Sequence, residues 1–527
     1  MKSLITISFL FIAFSAFAQD QTSQISKPLD IGLKGWNRVL YMNNGNTMLF
    51  HFEPSHTIQV KVFDAARKEK SNKGDKYNVL YSFNTNPPVI KGVFEINGEA
   101  VLFIDQEINS KHCLIRLRYD AATGRLIEEK MIAESRSANK RMEFYVIKYK
   151  DEENYAILFS TDISHPRSSD IYVVYFDKTH NAIKEVQLEV DRKKYDYLKV
   201  LCADAQPNGV LVTLELDKTK VYSISPRDAP LTEGSAVYDH FLRFFYIPKD
   251  SSKPLTNLIN VTEEVYPGFG FYTYNSFART LNFLLYNSHL ISYLYSPNSL
   301  KAAITSTLFL KMDEGNLSTV LQQLKNNMAN THLKSETDTL QYFAGIPIKM
   351  VTNENGLTTI FSEAAITHND LNSVSRYDTS NSIMRAGITQ TDDNGKELWG
   401  TVLPCGQHYS LMPRASYSYH FTAIRPYSYG KDFFIVYNDY DHNLNNSLKD
   451  PGYIINDYEN TNAFYYKINN KKEVTKNYLF GAPAKNEFKC IFTDAEYFNE
   501  RTSEYAALIQ YKKGESVSVR MAWSKLK

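Results

Sequence analysis

A run of oxygen-bearing side chains that follows a strand-like segment is the candidate for metal chemistry in this sequence. Its alternate positions are Asp439, Asp441, Asn443 and Asn445. Calcium takes roughly six to eight oxygen ligands, and alternating acids and amides on a tight loop can converge on one ion. Leu444 stands where the sharp turn of such a loop needs glycine. A polar turn without metal is therefore the favoured interpretation, calcium is the alternative, and no other cofactor is expected.

Aromatic and histidine side chains in long polar segments are the candidates for binding. They are Tyr293, Tyr295, His368, Tyr377, Tyr440, His442, Tyr453 and Tyr458. Tyrosine rings stack on sugars and anchor protein interfaces. Ordinary loop packing is the competing explanation, because the chain contains 37 Tyr.

Catalytic motifs are absent from the sequence. It contains no GxSxG, HExxH, P-loop or GxGxxG pattern, and its 12 His residues show no metal-ligand spacing. This favours a binding protein over an enzyme. Carboxylates that converge from distant segments would leave no local signature, so a hydrolase or lyase acting on glycans stays as the alternative. A calcium-stabilised adhesion module is a third hypothesis.

The elements that position these residues form a repeat. Eight apolar segments share one pattern and are centred on Leu49, Leu102, Leu158, Val212, Leu284, Ile360, Ile435 and Leu508. Strand-like runs with period-2 alternation and turn residues surround each of them, so that every unit can be divided into four strands. Antiparallel sheets of this size bury both faces only by packing on one another. The pattern predicts an all-β fold, a β-propeller of four-stranded antiparallel blades.

Eight blades are expected, with seven as the alternative. The last unit lacks a fourth strand, and an open edge invites mispairing. The segment 27–35 is the candidate N-terminal strand that completes this last blade.

The loops between the second and third strands are unequal. They are short in units one to three and eight, for example 106–112, but long at 215–239, 288–305, 364–383 and 439–462. Alternating connectivity places all of them on one face. Long loops in compact repeats are often functional, so this face is the predicted binding surface.

The segment 388–403, ITQTDDNGKELWGTVL, resembles the strand-turn-strand signature of quinoprotein-like propeller blades. The family repeats an acidic turn, Gly and Trp in each blade, whereas here the Trp of this motif occurs once, as Trp399. The resemblance implies the propeller architecture.

The N-terminus predicts export. Lys2, an apolar run and the Ala16-Phe17-Ala18 site before Gln19 are typical of a cleaved signal peptide covering residues 1–18. The mature protein is then expected in the periplasm, secreted, or associated with the outer membrane, without a transmembrane segment. Without residues 1–18 the chain has 58 basic and 58 acidic residues. This balance gives no reason to expect nucleic acid and leaves a protein or glycan of the cell envelope as the expected partner.

Two local questions stay open at this stage. Cys113, Cys202, Cys405 and Cys490 lack metal-site spacing; buried thiols are favoured over disulfides, which an oxidising compartment would permit. Residues 317–329 fit either an amphipathic helix or, in part, a fourth strand.

Overall fold

The computed structural model describes most of the chain. The residues described are 23–32, 35–53, 57–70, 75–80, 88–135, 142–149, 152–161, 170–191, 193–195, 197–220, 237–261, 269–275, 278–286, 307–337, 343, 345–353, 355–369, 379–410, 424–449, 455 and 458–527. They form eight four-stranded antiparallel sheets, the blades of a ring. The predicted β-propeller with eight blades is confirmed.

Blades one to four follow one another along the chain. Blade one contains β2 (Trp36–Tyr41), β3 (Thr47–Phe52), β4 (Ile58–Phe63) and β5 (Glu69–Lys70). Blade two contains β6 (Val89–Ile96), β7 (Glu99–Ile108), β8 (Lys111–Asp120) and β9 (Leu126–Glu134). Blade three contains β10 (Met142–Lys148), β11 (Tyr155–Thr161), β12 (Ile171–Phe176) and β13 (Ala182–Gln187). Blade four contains β14 (Tyr197–Gln206), β15 (Gly209–Lys220), β16 (Val237–Pro248) and β17 (Leu255–Val261).

Blades five to eight complete the ring. Blade five contains β18 (Phe269–Asn275), β19 (Thr280–Tyr286), β20 (Thr307–Asp313) and β21 (Thr319–Leu324). Blade six contains β22 (Ile346–Thr352), β23 (Thr358–Asn369), β24 (Thr379–Thr391) and β25 (Glu397–Ser410). Blade seven contains β26 (Arg425–Tyr429), β27 (Asp432–Asp439), β28 (Asn462–Ile468) and β29 (Val474–Tyr478). Blade eight contains β30 (Glu487–Asn499), β31 (Glu504–Lys513), β32 (Ser516–Lys525) and β1 (Gln24–Ile25).

The N-terminal strand closes the ring, as predicted, but with different residues. The closing strand is Gln24–Ile25, antiparallel to β32, and not the segment 27–35. Two backbone hydrogen bonds continue the contact, from Ser26 N to Met521 O and from Leu29 N to Val519 O, each 2.8 Å long. The ladder ends near Leu29 because the chain then leaves β32 to enter blade one.

The hydrophobic core consists of layers between neighbouring blades. In β3, Met48, Phe50 and Phe52 pack on blade two, whereas Leu49 packs on blade eight. In β7, Leu102 belongs to the same layer as Phe50. Successive side chains of a strand point to opposite faces, and both faces of the second strands are covered. This explains why these strands are continuous apolar runs rather than alternating ones.

The first strand of each blade lies nearest the axis. Among the described residues, β2 contacts both β6 and β30, and the first strands of blades two to six contact one another in order. The sheets then extend outward in chain order to the fourth strand. Residues of the first strands therefore line the axial opening.

Strand extension corrects the predicted loop boundaries on one face. β15 and β16 remain paired to Lys220 and Val237, and β23 and β24 to Asn369 and Thr379. The segments 215–239 and 364–383 are thus partly strand, and so is 106–112, where β7 and β8 join through a two-residue turn. The segment 288–305 lies outside the described residues. In 439–462, short 3-10 turns occur at Asp441–Asn443 and Tyr458–Asn460.

The open question about residues 317–329 is resolved in favour of both elements. Thr319–Leu324 forms β21, and the helix α1 (Asn327–Thr337) begins after Asn326. Glu397 accepts hydrogen bonds from Lys325 N and Met328 N at 3.1 and 3.0 Å, which satisfies amide groups at the start of the helix. Within the described part of the chain, no helix is long and apolar enough to cross a membrane.

The four cysteines form no disulfide with one another. Cys113, Cys405 and Cys490 are buried, and Cys202 is half-buried. The predicted buried thiols are therefore confirmed for three of them.

Candidate functional site at the axial opening

The structure describes four of the eight predicted binding residues. Tyr293, Tyr295, Tyr377 and Tyr453 lie outside the described residues, and His368 lies on β23. Tyr440 and His442 stack on each other, with ring centroids 5.1 Å apart. Tyr458 is only 7 % exposed and belongs to the hydrophobic layer that contains Leu29 and Trp523. The prediction that Tyr458 is exposed is therefore wrong, because the loop folds down onto blades eight and one.

The predicted calcium loop surrounds a cation supplied by the chain itself. The ammonium of Lys476 on β29 donates to Asp439 Oδ2 at 2.8 Å, Asn443 O at 2.6 Å and Asn446 Oδ1 at 3.2 Å. An ammonium group has three donors, and each has an oxygen partner here. The rings of Tyr437, Phe464 and Tyr466 enclose it, with centroids 5.0 to 5.6 Å away. We call these residues the Lys476 cage.

The other predicted ligands have protein partners or lie apart. Asp439 Oδ1 accepts from Asn443 Nδ2 at 2.7 Å, and Asp441 Oδ1 accepts from Asn462 Nδ2 at 2.7 Å. Asn445 is exposed at the turn. A calcium ion bound by Asp439 would have to compete with the ammonium of Lys476. Among the described residues, no group of three or more His, Cys, Asp or Glu side chains is placed to hold a metal ion. Calcium binding stays a prediction.

Charged side chains, most of them on first strands, form a cluster at the axial opening. Its centre is an irregularity in β30: the residues 492–495 lie between the register pairs Ile491–Ile509 and Glu496–Ala507. Such bulges re-aim backbone and side chains and are frequent beside functional sites. Here the bulge turns two carbonyl groups toward the neighbouring blades.

Two arginines hold this bulge from opposite sides. Arg425 of blade seven donates to Thr493 O through Nε at 2.9 Å and Nη2 at 2.6 Å. Arg38 of blade one donates through Nη1 to Asp494 O at 3.0 Å. The side chains of Arg38 and Arg425 are 35 % and 39 % exposed, so both guanidinium groups also face solvent. Burial lowers the pKa of Arg38, which the nearby Asp494 carboxylate partly offsets.

Two carboxyl groups from different blades complete the cluster. Glu496 of blade eight lies 3.5 Å from Arg425 Nε and accepts a hydrogen bond from the Tyr505 hydroxyl. Burial raises the pKa of Glu496, although Arg425 opposes the shift. Glu363 lies on β23 of blade six; burial raises its pKa to about 7, again opposed by Arg425. We call Arg38, Asp494, Arg425, Glu496 and Glu363 the axial cluster.

The axial cluster combines hydrogen-bond donors with two glutamates whose pKa burial raises, to about 7 for Glu363. A carboxylic acid with a raised pKa can donate a proton or a hydrogen bond, and a nearby guanidinium can bind a carboxylate or another anion. Sequence reasoning missed this cluster because its members are far apart in the chain. The available signal was the presence of charged residues inside strand-like segments, in RPYSY, TDAEYF and TIFSE.

The raised pKa of Glu363 predicts a specific pH dependence of stability. Its folded pKa of about 7 exceeds the ordinary value of 4.5, so the folded state binds the proton more tightly. The contribution of Glu363 to stability is therefore full below pH 4.5 and falls as the pH rises toward 7. We expect Glu363→Gln to flatten this decline in urea unfolding measured across that range. Glu134→Gln, at a glutamate that is 51 % exposed, is the control. An unchanged slope in Glu363→Gln would contradict the assignment.

The architecture defines the protein class as an eight-bladed β-propeller. The sequence matches no protein-family model and no curated protein.

Comparison with solved structures finds several that are similar to the chain. The WD40 domain of SCAP from fission yeast has 8 % identity and a TM-score of 0.37, over 95 % of this chain and 98 % of that one. A post-proline cleaving enzyme from Rickettsia typhi has 12 % identity and a TM-score of 0.37, over 92 % of this chain and 58 % of that one. A GH43 endo-arabinanase from Bacillus licheniformis has 11 % identity and a TM-score of 0.24, over 54 % and 97 %. Similarities at these levels carry no argument about function.

Proposed function

We propose that the protein binds a protein or glycan of the cell envelope through the face that carries the connections between second and third strands. The observation that supports this proposal most is the extension of blades four and six beyond the ring on this face. In blade one, β3 and β4 form six pairs, from Thr47 to Phe52. In blade four, β15 and β16 form twelve, from Gly209 to Lys220.

The extensions differ in width. Beyond Asp217, which pairs with the first residue of β14, only β15 and β16 continue as a two-stranded ribbon. In blade six, three strands extend, because β24 remains paired with β25 as far as Ser380 and Ser410. At about 3.3 Å per residue, six extra residues reach about 20 Å past a six-residue strand. Hydrogen-bonded strands form a more rigid wall than free loops do. Such a wall beside the charged axial opening offers a large surface, which suits a macromolecular ligand.

Shortening one wall tests this proposal. Replacing residues 366–382 by Asn-Gly reconnects β23 and β24 with a two-residue turn and leaves the ring strands intact. We expect the purified variant to unfold like the parent. Its apparent affinity for partners captured from the native envelope and identified by mass spectrometry is expected to fall at least about tenfold, which corresponds to about 1.4 kcal/mol.

The matched control changes the opposite face. Lys471→Ala with Glu473→Ala alters the turn between β28 and β29, where third and fourth strands connect, and is expected to leave capture unchanged. Equal capture by the shortened variant, or recovery of no partner by the parent, would contradict a binding role for this face.

A glycan hydrolase or lyase with its site at the axial opening is the second candidate. The observation that favours it is that Glu363 and Glu496 both have raised pKa values and both lie within the electrostatic influence of Arg425. Turnover of a glycan panel by the parent, lost in Glu363→Gln while folding is retained, would support the enzyme. No turnover of any member of the panel would remove it.

A further inference from the structure

A groove runs between the outer strands of blades three and four, away from the axial cluster. Its volume is about 870 Å³. It is lined by residues 187–191 on one side, by Ser252, Lys253, Pro254 and Thr256 on the other, and by Arg243 and Phe245 between them. A volume of this size suits a small ligand or a few sugar units.

The groove is built by specific contacts between the two blades. The ammonium of Lys184 on β13 donates to the carbonyl oxygens of Pro248, Lys249 and Ser251 at 3.1, 3.2 and 2.6 Å. This fixes the turn that enters β17. On the other side, Leu188 is buried and its N–H donates to Ile171 O at 2.8 Å. Both walls are therefore held in place by the fold.

Arg243 is the charged group between these walls. Its guanidinium lies over the Phe245 ring, 5.4 Å from the centroid, and Nη2 donates to Thr256 Oγ1 at 3.3 Å. Its Nε is buried and has no hydrogen-bond partner in the described part of the protein. No carboxylate of the described residues pairs with it. The Nε atom itself is too buried for a ligand to reach. The rest of the half-buried guanidinium lines the groove without a carboxylate of the described residues beside it, and this uncompensated positive charge points to an anionic ligand.

The charged side chains at the rim of the groove have no net charge that would repel an anionic ligand. Asp191 and Lys194 form an ion pair at 3.1 Å, and both are more than half exposed. Glu189 and Lys253 lie on opposite walls and are also exposed. Exposed opposite charges largely cancel and are screened by salt. The half-buried guanidinium of Arg243 therefore determines the sign of the charge on the preferred ligand.

We propose that this groove binds a sugar acid, with the carboxylate on Arg243. A carboxylate can accept bonds from the two Nη groups of Arg243 in the forked geometry that arginine offers. Gln187, Ser252 and Thr256 supply hydroxyl and amide groups for the hydroxyls of the sugar. The ligand class is thus a uronic acid, free or within an oligosaccharide. This site lies apart from the axial opening, and its failure would leave the proposed partner-binding face untouched.

Calorimetric titration with trigalacturonate, against a neutral galactose trisaccharide, tests the site. The parent is expected to bind trigalacturonate, with weaker binding as salt rises, and to bind the neutral sugar at least about tenfold more weakly, the factor that about 1.4 kcal/mol represents. Arg243→Met is expected to abolish this preference. Arg243→Lys keeps the charge but loses the fork, so it should retain part of the affinity.

Arg520→Met is the matched control, because Arg520 also stacks on an aromatic ring, 4.1 Å from the centroid of Tyr511, but lies outside the groove. It is expected to bind as the parent does. Unchanged binding in Arg243→Met with a normal melting curve would overturn the proposal, as would no binding by the parent. Tighter binding of a polyglutamate peptide than of trigalacturonate would overturn it in favour of an acidic peptide.

Discussion

Replacing Asp439 by alanine is expected to destabilise the protein by roughly 3–5 kcal/mol, the usual cost of removing one partner of a buried ion pair. Asp439 is fully buried and Lys476 is 7 % exposed. Without the carboxylate, the ammonium keeps only Asn443 O and Asn446 Oδ1 as hydrogen-bond acceptors, inside a cage of three aromatic rings. Urea unfolding followed by circular dichroism measures the loss.

The same blade supplies the control for this experiment. Lys467 and Asp432 form an ion pair of similar length, 2.9 Å, but their side chains are 26 % and 28 % exposed. Asp432→Ala is expected to cost at most about 1 kcal/mol. The double replacement Asp439→Leu with Lys476→Met removes both charges and is expected to be less harmful than Asp439→Ala alone. If Asp439→Ala and Asp432→Ala lower the free energy of unfolding by the same amount, the stability of the Lys476 cage does not depend on its ion pair.

Deleting residues 23–29 is expected to open the ring. The deletion removes β1, the burial of Leu29 and the hydrogen bonds of Ser26 and Leu29 to β32. Burying one leucine contributes about 2 kcal/mol and each of the two hydrogen bonds about 1 kcal/mol, so the loss amounts to roughly 4 kcal/mol. The exposed edge of β32 is also expected to promote self-association. Thermal melting and light scattering at several protein concentrations measure both effects.

Two comparisons distinguish the loss of ring closure by β1 from a non-specific effect of changing the N-terminal segment. Lys27→Ala with Asp30→Ala changes exposed side chains of the same segment and is expected to leave melting unchanged. A synthetic peptide of residues 23–30, added to the deletion variant, is expected to restore part of the lost stability. A deletion variant as stable and as monomeric as the parent would show that β1 is not needed for closure.

The ring was predictable from the sequence because its strongest signal is local. Runs such as TMLFHF and AVLFID are apolar at consecutive positions, and such strands need cover on both faces, which neighbouring blades provide. The last unit lacked a strand, which predicted closure by the N-terminus. The exact residues were missed because β1 has only two residues, Gln24–Ile25, too few to show a pattern.

The extensions and the axial cluster were not predictable in the same way. Residues 364–369 continue β23 beyond the ring, where the alternation that marks a half-buried strand is no longer required. The irregularity at 492–495 contains neither Gly nor Pro, the usual markers of a broken strand. The Lys476 cage joins a polar fourth strand to a loop about 30 residues earlier in the chain. From the sequence, a cation at this loop was only the alternative to a polar turn without metal, and nothing indicated that a lysine would supply one.

The unequal strand lengths bear on symmetry. A ring of eight identical blades would offer a ligand centred on its axis eight equivalent rotational settings, related by steps of one blade. In this protein β3 and β4 have six residues each, whereas β15 and β16 have twelve each and β24 has thirteen. These differences remove the degeneracy. A ligand that touches both the axis and the projecting strands can therefore bind in one rotational orientation only. The unequal strands thus fix the orientation of a ligand on an otherwise symmetric fold.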